Sequence, residues 1–362
     1  MDKIKIRQIC FLLIGMMPIT KLLMYPAILP YYTQNDVLLS AAINFILQGV
    51  VIGFVLWLSK RTNCTFLQLL QNTFGNIAAS IIYALFILFL LLSSFSIISE
   101  QKVFVIHTLY ENIPSYANFL PFFIVSFLAC SKSIKTIGRA ADLCMPIFVF
   151  AFLAIIGLSL FNINLSSILP IGGAKSGIFK GSLMSSVWYT DCLYPLFFLG
   201  NFKYEKKSFL KVGISYGIGA ICVMLFLAIF YSLYGDLSLL RQNSMAHIAK
   251  FTTAFTSIGR IDFVFIFALT LVHIFYSIVP LHLAVTGIID IFPKWNKLLV
   301  SGIVNLIMLV LVWFSNYDYA AIQHFYNGYF WIFAAIFAYI LPISAIFLKK
   351  GRRATNEKVL DV

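Results

Sequence analysis

The sequence predicts an all-α polytopic membrane protein with about ten transmembrane helices, and its composition and apolar runs support this. Of the 362 residues, 61% are hydrophobic, which is about 220 side chains. Only 11% are charged, against roughly 25% in a soluble domain, too few for a soluble surface, a disordered chain or a coiled coil. Apolar runs of about 20 residues, the length of a spanning helix, follow one another along the chain and leave no room for a globular domain.

The apolar runs place ten helices along the chain, numbered here helix 1 to helix 10: 8–30, 37–58, 76–106, 117–131, 143–161, 182–201, 210–234, 262–289, 298–315 and 327–348. We expect a single transmembrane domain over 1–350 and a cytoplasmic tail over 351–362. The first run follows a short basic segment without an obvious cleavage site, so we expect a spanning helix rather than a removed signal.

Basic residues predict the orientation of these helices. The net charge of +13 comes from 26 Lys and Arg against 13 Asp and Glu. In a soluble protein this excess would suggest nucleic acid, but in a membrane protein basic residues concentrate in cytoplasmic loops. With a cytoplasmic N-terminus, 19 basic residues lie on the inner side, six on the outer side, and Lys21 within helix 1. We therefore expect both termini in the cytoplasm, membrane lipids as neighbours, and no nucleic-acid partner.

Two segments outside the spans have a predicted role at the membrane. The longest outer segment, 235–261, has apolar residues at helical spacing and predicts a short helix lying at the membrane surface, with a packed loop as the alternative. The basic cluster at 349–353 is interpreted as membrane anchoring, with an anionic-lipid site as the alternative.

Helices 1 and 6 contain residues that a bilayer disfavours. Gly15 and Pro18 weaken the backbone hydrogen bonds of helix 1, and Lys21 follows near mid-depth. Helix 6 carries Asp191 near mid-depth and Pro195 one turn later. Interrupted helices at corresponding places in two halves are typical of a transporter-type binding site. Simple kinks without a site are the alternative.

The correspondence of helices 1 and 6 indicates a five-plus-five inverted repeat, with repeat one at about 8–161 and repeat two at about 182–348. A charge at the bilayer centre costs at least about 2.5–3.5 kcal/mol unless it finds a partner or a water-filled cavity. We therefore predict that Lys21 and Asp191 face one another or share one cavity. The alternative for Lys21 is a side chain that extends to an interface.

Further polar groups complete the candidate site. Helix 3 contributes Ser96 and Glu100, where an interfacial charge solvated by Lys102 is the alternative for Glu100. Helix 8 contributes Thr270 and His273, and His273 is interpreted as a neutral histidine hydrogen-bonded between helices, with a proton relay as the alternative. The predicted ligand-binding residues are Gly15, Met17, Pro18, Thr20, Lys21, Ser96, Glu100, Trp188, Thr190, Asp191, Tyr194, Thr270 and His273.

Enzymatic motifs are not found in the sequence. It has no HExxH, Walker A or GxSxG motif, and its six cysteines are scattered without metal-ligand spacing. We therefore expect no catalytic residues, no metal site and no cofactor.

Several short motifs occur in the order found in one family. They are Ile6-Arg7-Gln8-Ile9, Gly138-Arg139-Ala140-Ala141-Asp142 with Pro146, Asn164-Leu165 with Leu169-Pro170 and Gly172-Gly173, Asp191 with Pro195, and Arg260-Ile261-Asp262. On a ten-helix frame, this order resembles the endospore germination permeases, the B-type membrane subunits of spore germinant receptors. They belong to the amino acid–polyamine–organocation superfamily. Lys21 has no place in the pattern, and its role rests on bilayer physics alone.

The resemblance implies a LeuT-like fold and a place in the spore inner membrane. It implies that a small nutrient germinant, often an amino acid, binds at the midplane between helices 1, 3, 6 and 8. Germination would then start together with A-type and C-type receptor subunits. An ion- or proton-coupled amino acid transporter of the same fold is the alternative function.

Overall fold

The computed structural model confirms the predicted all-α membrane architecture. It describes residues 3–62, 64–109, 115–160, 163–164, 167, 172, 175–202, 204–250, 261–315, 325–326 and 328–344. The predicted tail over 351–362 lies outside the described residues.

The helices of the described ranges are numbered in chain order: α1 (Ile6–Ile19), α2 (Tyr25–Thr33), α3 (Val37–Arg61), α4 (Phe66–Phe74), α5 (Asn76–Leu109), α6 (Ser115–Ser131), α7 (Ile134–Ser159), α8 (Lys175–Ser185), α9 (Tyr194–Phe197), α10 (Ser208–Tyr234), α11 (Ser244–Lys250), α12 (Ile261–Ile291), α13 (Lys297–Phe314) and α14 (Phe330–Ser344). Among these, α3, α5, α7, α10, α12 and α13 are long and apolar enough to cross a membrane. Shorter apolar helices include α1 and α14.

Most observed helices match the predicted spans within a few residues. Helix 1 is divided into α1 and α2, and helix 6 into α8, a 3₁₀ segment (Ser186–Leu193) and α9. The predicted start of helix 5 at 143 is wrong, because α7 begins at Ile134. Hydropathy detects the membrane-embedded part of a helix, whereas Lys135 and Arg139 belong to a polar extension beyond it.

A short amphipathic helix, α4, lies between the second and third spans and was not predicted. Thr65 caps it: the Thr65 amide donates to Gln68 Oε1 at 3.0 Å, and Thr65 Oγ1 accepts from the Gln68 amide at 3.3 Å. Its apolar side buries Leu69 and Leu70, and it packs on α5. Gly75, with φ 81°, ends the helix.

The broken helices lie in the centre of the bundle. α1 packs against α10, α7 and α12, and α12 packs in turn on α5, α6 and α7. α3 runs along both α8 and the 3₁₀ segment of helix 6. The unwound parts of helices 1 and 6 are thereby enclosed by longer, regular helices.

Polar contacts attach the start of α1 to α7. Asp142 Oδ2 lies 3.1 Å from the Arg7 guanidinium and accepts a 3.0 Å hydrogen bond from Gln8 Nε2. A side chain at Gly138 would meet Gln8 Oε1 at 2.7 Å, so the Gln8 side chain would have to shift to admit one. Two of the short motifs singled out in the sequence therefore touch each other in space.

The outer connection after α10 is partly as predicted. A 3₁₀ turn (Gly235–Leu240) and the predicted short helix, α11, form within it, and α11 packs its apolar side chains against the protein. Met245, Ile248 and Ala249 are buried in the protein. The Ser244 amide donates to the Leu23 carbonyl at 3.2 Å, so the first residue of α11 contacts the break of helix 1. Residues 251–260 lie outside the described part.

Candidate functional site

The break of helix 1 covers residues 20–24, between α1 and α2. Pro18 lies in the last turn of α1 and has no amide hydrogen to continue the hydrogen-bond ladder. The Lys21 amide instead donates to the Pro18 carbonyl at 2.8 Å. This turn directs the Lys21 side chain into the protein, where none of it is exposed.

The break of helix 6 is the 3₁₀ segment between α8 and α9. Tyr189 within it has non-helical angles, φ −109° and ψ 33°. Its carbonyl therefore leaves the helical ladder, and it accepts hydrogen bonds from Gln48 Nε2 at 3.0 Å and from Tyr339 at 3.2 Å. Side chains of neighbouring helices thus satisfy a backbone group that the break frees, as a bilayer requires.

Lys21 and Asp191 form an ion pair between the two breaks, with both side chains fully buried. Lys21 Nζ donates to Asp191 Oδ2, to Thr20 Oγ1 at 2.8 Å and to the Met17 carbonyl at 3.2 Å. All three ammonium hydrogens are therefore used. The Tyr189 ring lies 4.9 Å from Nζ. The predicted meeting of Lys21 and Asp191 is present, and the alternative of a lysine reaching an interface is wrong.

One oxygen of the Asp191 carboxylate has no hydrogen-bond partner among the described residues. Oδ2 accepts from Lys21 and, at 3.3 Å, from Gln48 Nε2. Oδ1 is buried and makes no hydrogen bond to any residue of the described part. A buried unpaired acceptor costs about 1–3 kcal/mol, and more when it is charged. The carboxylate therefore retains the capacity to accept a donor at the break.

A row of polar side chains on α3, missed by the sequence analysis, joins α3 to helix 6. Asn44 Nδ2 donates to Ser185 Oγ at 2.8 Å, one turn before the contacts of Gln48. The hydroxyls of Ser40 and Ser182 lie 3.2 Å apart a turn earlier. The signal was present in the sequence, because polar residues at 40, 44 and 48 share one helix face.

We expect Gln48→Leu to lower the stability of the protein and to weaken ligand binding. The change removes the Gln48 amide group that donates to the Tyr189 carbonyl and to Asp191. A buried acceptor left without a donor costs about 1–3 kcal/mol of stability. Asn44→Leu is the matched control, since it removes one inter-helix hydrogen bond away from the ion pair. A melting-temperature measurement with and without ligand should show a loss of ligand shift in Gln48→Leu only. Equal ligand shifts in both variants would contradict the assignment of Gln48 to the site.

Glu100 on α5 contacts both breaks. Its Oε1 accepts from the Trp188 indole at 3.4 Å, and the Met24 backbone at the start of α2 also hydrogen-bonds to it. With 8% of its surface exposed, Glu100 is not an interfacial charge. The expected help from Lys102 is wrong, because Lys102 Nζ donates instead to the Val312 carbonyl at 2.6 Å on α13.

The predicted residues of α1 lie close to neighbouring helices. Gly15 faces the Tyr276 ring of α12, which occupies the space that a side chain would need. The Met17 sulfur lies against Gly219 of α10. Thr20 Oγ1 lies 3.4 Å from the Trp188 carbonyl and so links the two breaks directly.

Other predicted residues are not joined to the ion pair by hydrogen bonds. The Thr270 hydroxyl donates to the Ile266 carbonyl of its own helix at 2.7 Å. Ser96 is half-buried on α5. Thr190 and Tyr194 are buried beside Asp191 in the chain. Tyr189, also buried there, is a site residue that the sequence analysis did not include.

His273 is buried on α12 next to the end of α1. Its Nδ1 lies 3.1 Å from the Leu269 carbonyl, and the backbone of Ile19 is its neighbour on α1. Nε2 has no hydrogen-bond partner of good geometry among the described residues. His273 therefore lies beside the last residue of α1, and its role in the site stays a prediction.

Comparison with solved structures assigns the fold to the transporter class. Two crystal structures of a manganese transporter from Eremococcus coleocola are similar to the chain. A mutant form gives a TM-score of 0.58 at 12% identity, covering 95% of this chain and 81% of that chain. A complex with an aromatic bis-isothiourea substituted compound gives 0.56 at 15% identity, covering 96% and 81%. At such identities the likeness concerns the fold alone, which is LeuT-like.

The sequence family is more specific than the fold. Residues 3–320 match the family model described as "Spore germination protein", so the chain belongs to the spore germination permease family. A search of the curated proteins found no match. The family and the fold are those of membrane permeases and transporters.

Proposed function

We propose that the protein is the membrane subunit of a spore germinant receptor, and that it binds a small zwitterionic nutrient, an amino acid, between the breaks of helices 1 and 6. Family membership supports the role in germination. The proposal for the ligand rests on Oδ1 of Asp191, which lies beside the buried Lys21 ammonium and has no hydrogen-bond partner in the part of the chain that the structure describes.

The ion pair fits a ligand with both charges. An amino group can donate to Asp191 Oδ1, and a carboxylate can take over one of the donors of Lys21. Each partner then exchanges one charged neighbour for another without leaving a buried charge unpaired, which would be costly. The freed backbone groups of the breaks add further hydrogen-bonding positions.

A metal cation is a poorer fit to this site than a zwitterion. Within the described residues, no group of three or more His, Cys, Asp or Glu side chains could hold a metal ion. Lys21 also places a positive charge directly on the Asp191 carboxylate, and this charge would repel a cation. We therefore do not propose manganese, the metal named for the structurally similar transporter, as a ligand of this chain.

The proposal predicts that Lys21→Met abolishes the ligand-induced rise in melting temperature. The purified protein would be screened against amino acids, and each hit would be retested as its methyl ester and its N-acetyl derivative. Both derivatives are expected to bind at least about tenfold more weakly, because each loses one charge-assisted contact of about 1.5–3 kcal/mol.

Lys102→Met is the matched control for this experiment. It also removes a buried lysine, but one that contacts α13 instead of the breaks. We expect this variant to keep the ligand shift. A normal shift in Lys21→Met, or full binding of the ester and the N-acetyl derivative, would refute the site.

The receptor role rests on partners and location as well as on the pocket. We expect A-type and C-type receptor subunits to co-purify with the protein from spore inner membranes, with both of its termini on the cytoplasmic side. The alternative is an ion- or proton-coupled amino acid transporter, which the transporter neighbours support. Saturable uptake by the purified protein alone in liposomes would favour the transporter, whereas co-purification without uptake would favour the receptor.

A further inference from the structure

A wide cavity, open to the surface, lies away from the breaks, where the start of α1 meets the start of α10. Its volume is about 910 Å³, and its basic lining consists of Lys3, Lys5, Arg7 and Lys211. By the count of basic residues, this is the end of the bundle expected in the cytoplasm. The site proposed above has no need of this cavity.

The charge of the cavity is only partly balanced. Glu205 is its acidic lining residue, and it lies 3.4 Å from Lys211 in an exposed pair, which is a weak interaction. Arg7 is engaged by Asp142 at 3.1 Å. Lys3 and Lys5 make no ion pair with any described residue. An anion in the cavity would therefore meet uncompensated positive charge.

The cavity is held in shape by backbone contacts. The Ile4 amide donates to the Asn201 carbonyl at 2.9 Å, and Ile4 pairs with Phe202 in an isolated β-bridge. The lysines on either side of Ile4 are therefore carried by backbone that is fixed to the chain following helix 6. Such fixed positions distinguish the cavity from a solvated basic tail.

The flank of the cavity is apolar and faces outward. Ile214 lines the cavity with 55% of its surface exposed, and Leu210, one turn earlier on the same face of α10, is 61% exposed. On a membrane-spanning helix, such residues face lipid tails. A basic cavity thus continues into a surface suited to acyl chains.

We infer that this cavity binds the phosphate headgroup of an anionic phospholipid, with the acyl chains lying along α10. Basic pockets between helices on the cytoplasmic side suit such headgroups. Because the cavity joins the start of helix 1 to the chain after helix 6, a bound lipid would link the ends of both broken helices. Its occupancy is expected to raise the melting temperature of the protein.

The test uses the full-length protein in nanodiscs of phosphatidylcholine with or without phosphatidylglycerol. We expect phosphatidylglycerol to raise the melting temperature, and native mass spectrometry to detect a retained phosphatidylglycerol after mild delipidation. The triple variant Lys3→Gln, Lys5→Gln, Lys211→Gln should bind this lipid on the order of a hundredfold more weakly, since each lysine near an anionic headgroup contributes about fivefold. Ile214→Trp should also weaken binding, because the indole narrows the apolar side of the cavity without changing its charge.

The matched control is Lys60→Gln, Lys135→Gln, Lys294→Gln, which removes the same charge from exposed positions outside the cavity. It should keep the lipid effect. An equal loss in both triple variants, or no retained lipid in the native protein, would overturn the inference. A full melting-temperature shift with inorganic phosphate in phosphatidylcholine would show a free-anion site instead, and would overturn the lipid as ligand. The amino acid response tests the proposed function separately.

Discussion

Asp191→Asn is expected to abolish the response to ligand and to lower the stability of the protein, while leaving it in the membrane. The substitution removes the only acidic partner that Lys21 has among the described residues, and leaves its ammonium buried without a counter-charge. Breaking a buried pair in this way costs about 3–5 kcal/mol. The melting temperature of the purified variant measures the stability, and germination of spores carrying it measures the response.

The double variant Lys21→Met, Asp191→Asn separates the two effects. It removes both charges, so most of the stability should return, whereas the ligand response should remain absent because neither charged contact exists. Asp290→Asn is the matched control, since Asp290 is a carboxylate near the end of α12 whose oxygen lies 3.5 Å from Tyr83. A double variant that responds normally would exclude the ion pair from ligand binding.

Gly15→Ala is expected to destabilise the packing of α1 on α12 strongly. The added methyl group would lie 1.9 Å from Tyr276 Cζ and 2.3 Å from its hydroxyl oxygen. The ring has little room to retreat, because only 1% of Tyr276 is exposed and its hydroxyl donates to the Phe11 carbonyl at 3.1 Å. Overpacking of this kind costs about 1–3 kcal/mol, occasionally more.

The control for this prediction is Gly157→Ala on α7. Among the described residues, and apart from its chain neighbours and the backbone of its own helix, no atom lies within 4 Å of the position its methyl group would take, so we expect no loss of stability there. Adding Tyr276→Leu to Gly15→Ala should restore part of the melting temperature by removing the ring. If the Gly15→Ala and Gly157→Ala variants both have the melting temperature of the native protein, the close packing of Gly15 against Tyr276 is contradicted.

Much of the fold could be predicted because a bilayer imposes strict rules. A span needs a long apolar run, and a charge inside it is costly. Lys21 and Asp191 therefore stood out in the sequence. Their contact could be predicted because both were expected near mid-depth of the bilayer, where an unpaired charge is costly in free energy. Pro18 and Pro195 indicated the breaks, because proline has no amide hydrogen to donate to the hydrogen bonds of a helix. The division of the chain into two repeats remains a prediction.

Other parts of the site depend on which helices are neighbours, and spacing alone does not give this. Gln48 lies on an apolar helix, and its importance became clear only when α3 was found beside helix 6. Lys102 is separated by two positions from Glu100, yet it points to α13. The buried position of α11 likewise depends on its contact with Leu23.

The buried ion pair also has an electrical consequence. Lys21 and Asp191 cancel each other's charge inside the protein, at a position that the sequence predicts to lie near the middle of the bilayer. A zwitterionic ligand that replaces the contact between Lys21 and Asp191 has no net charge. The transmembrane potential therefore contributes no electrical work to its binding. A bare ion at the same depth would gain or lose an appreciable part of the roughly 2.3 kcal/mol per 100 mV that a full crossing entails. For the proposed zwitterionic ligand, we therefore expect occupancy of the site to depend on the ligand concentration and not on the transmembrane potential.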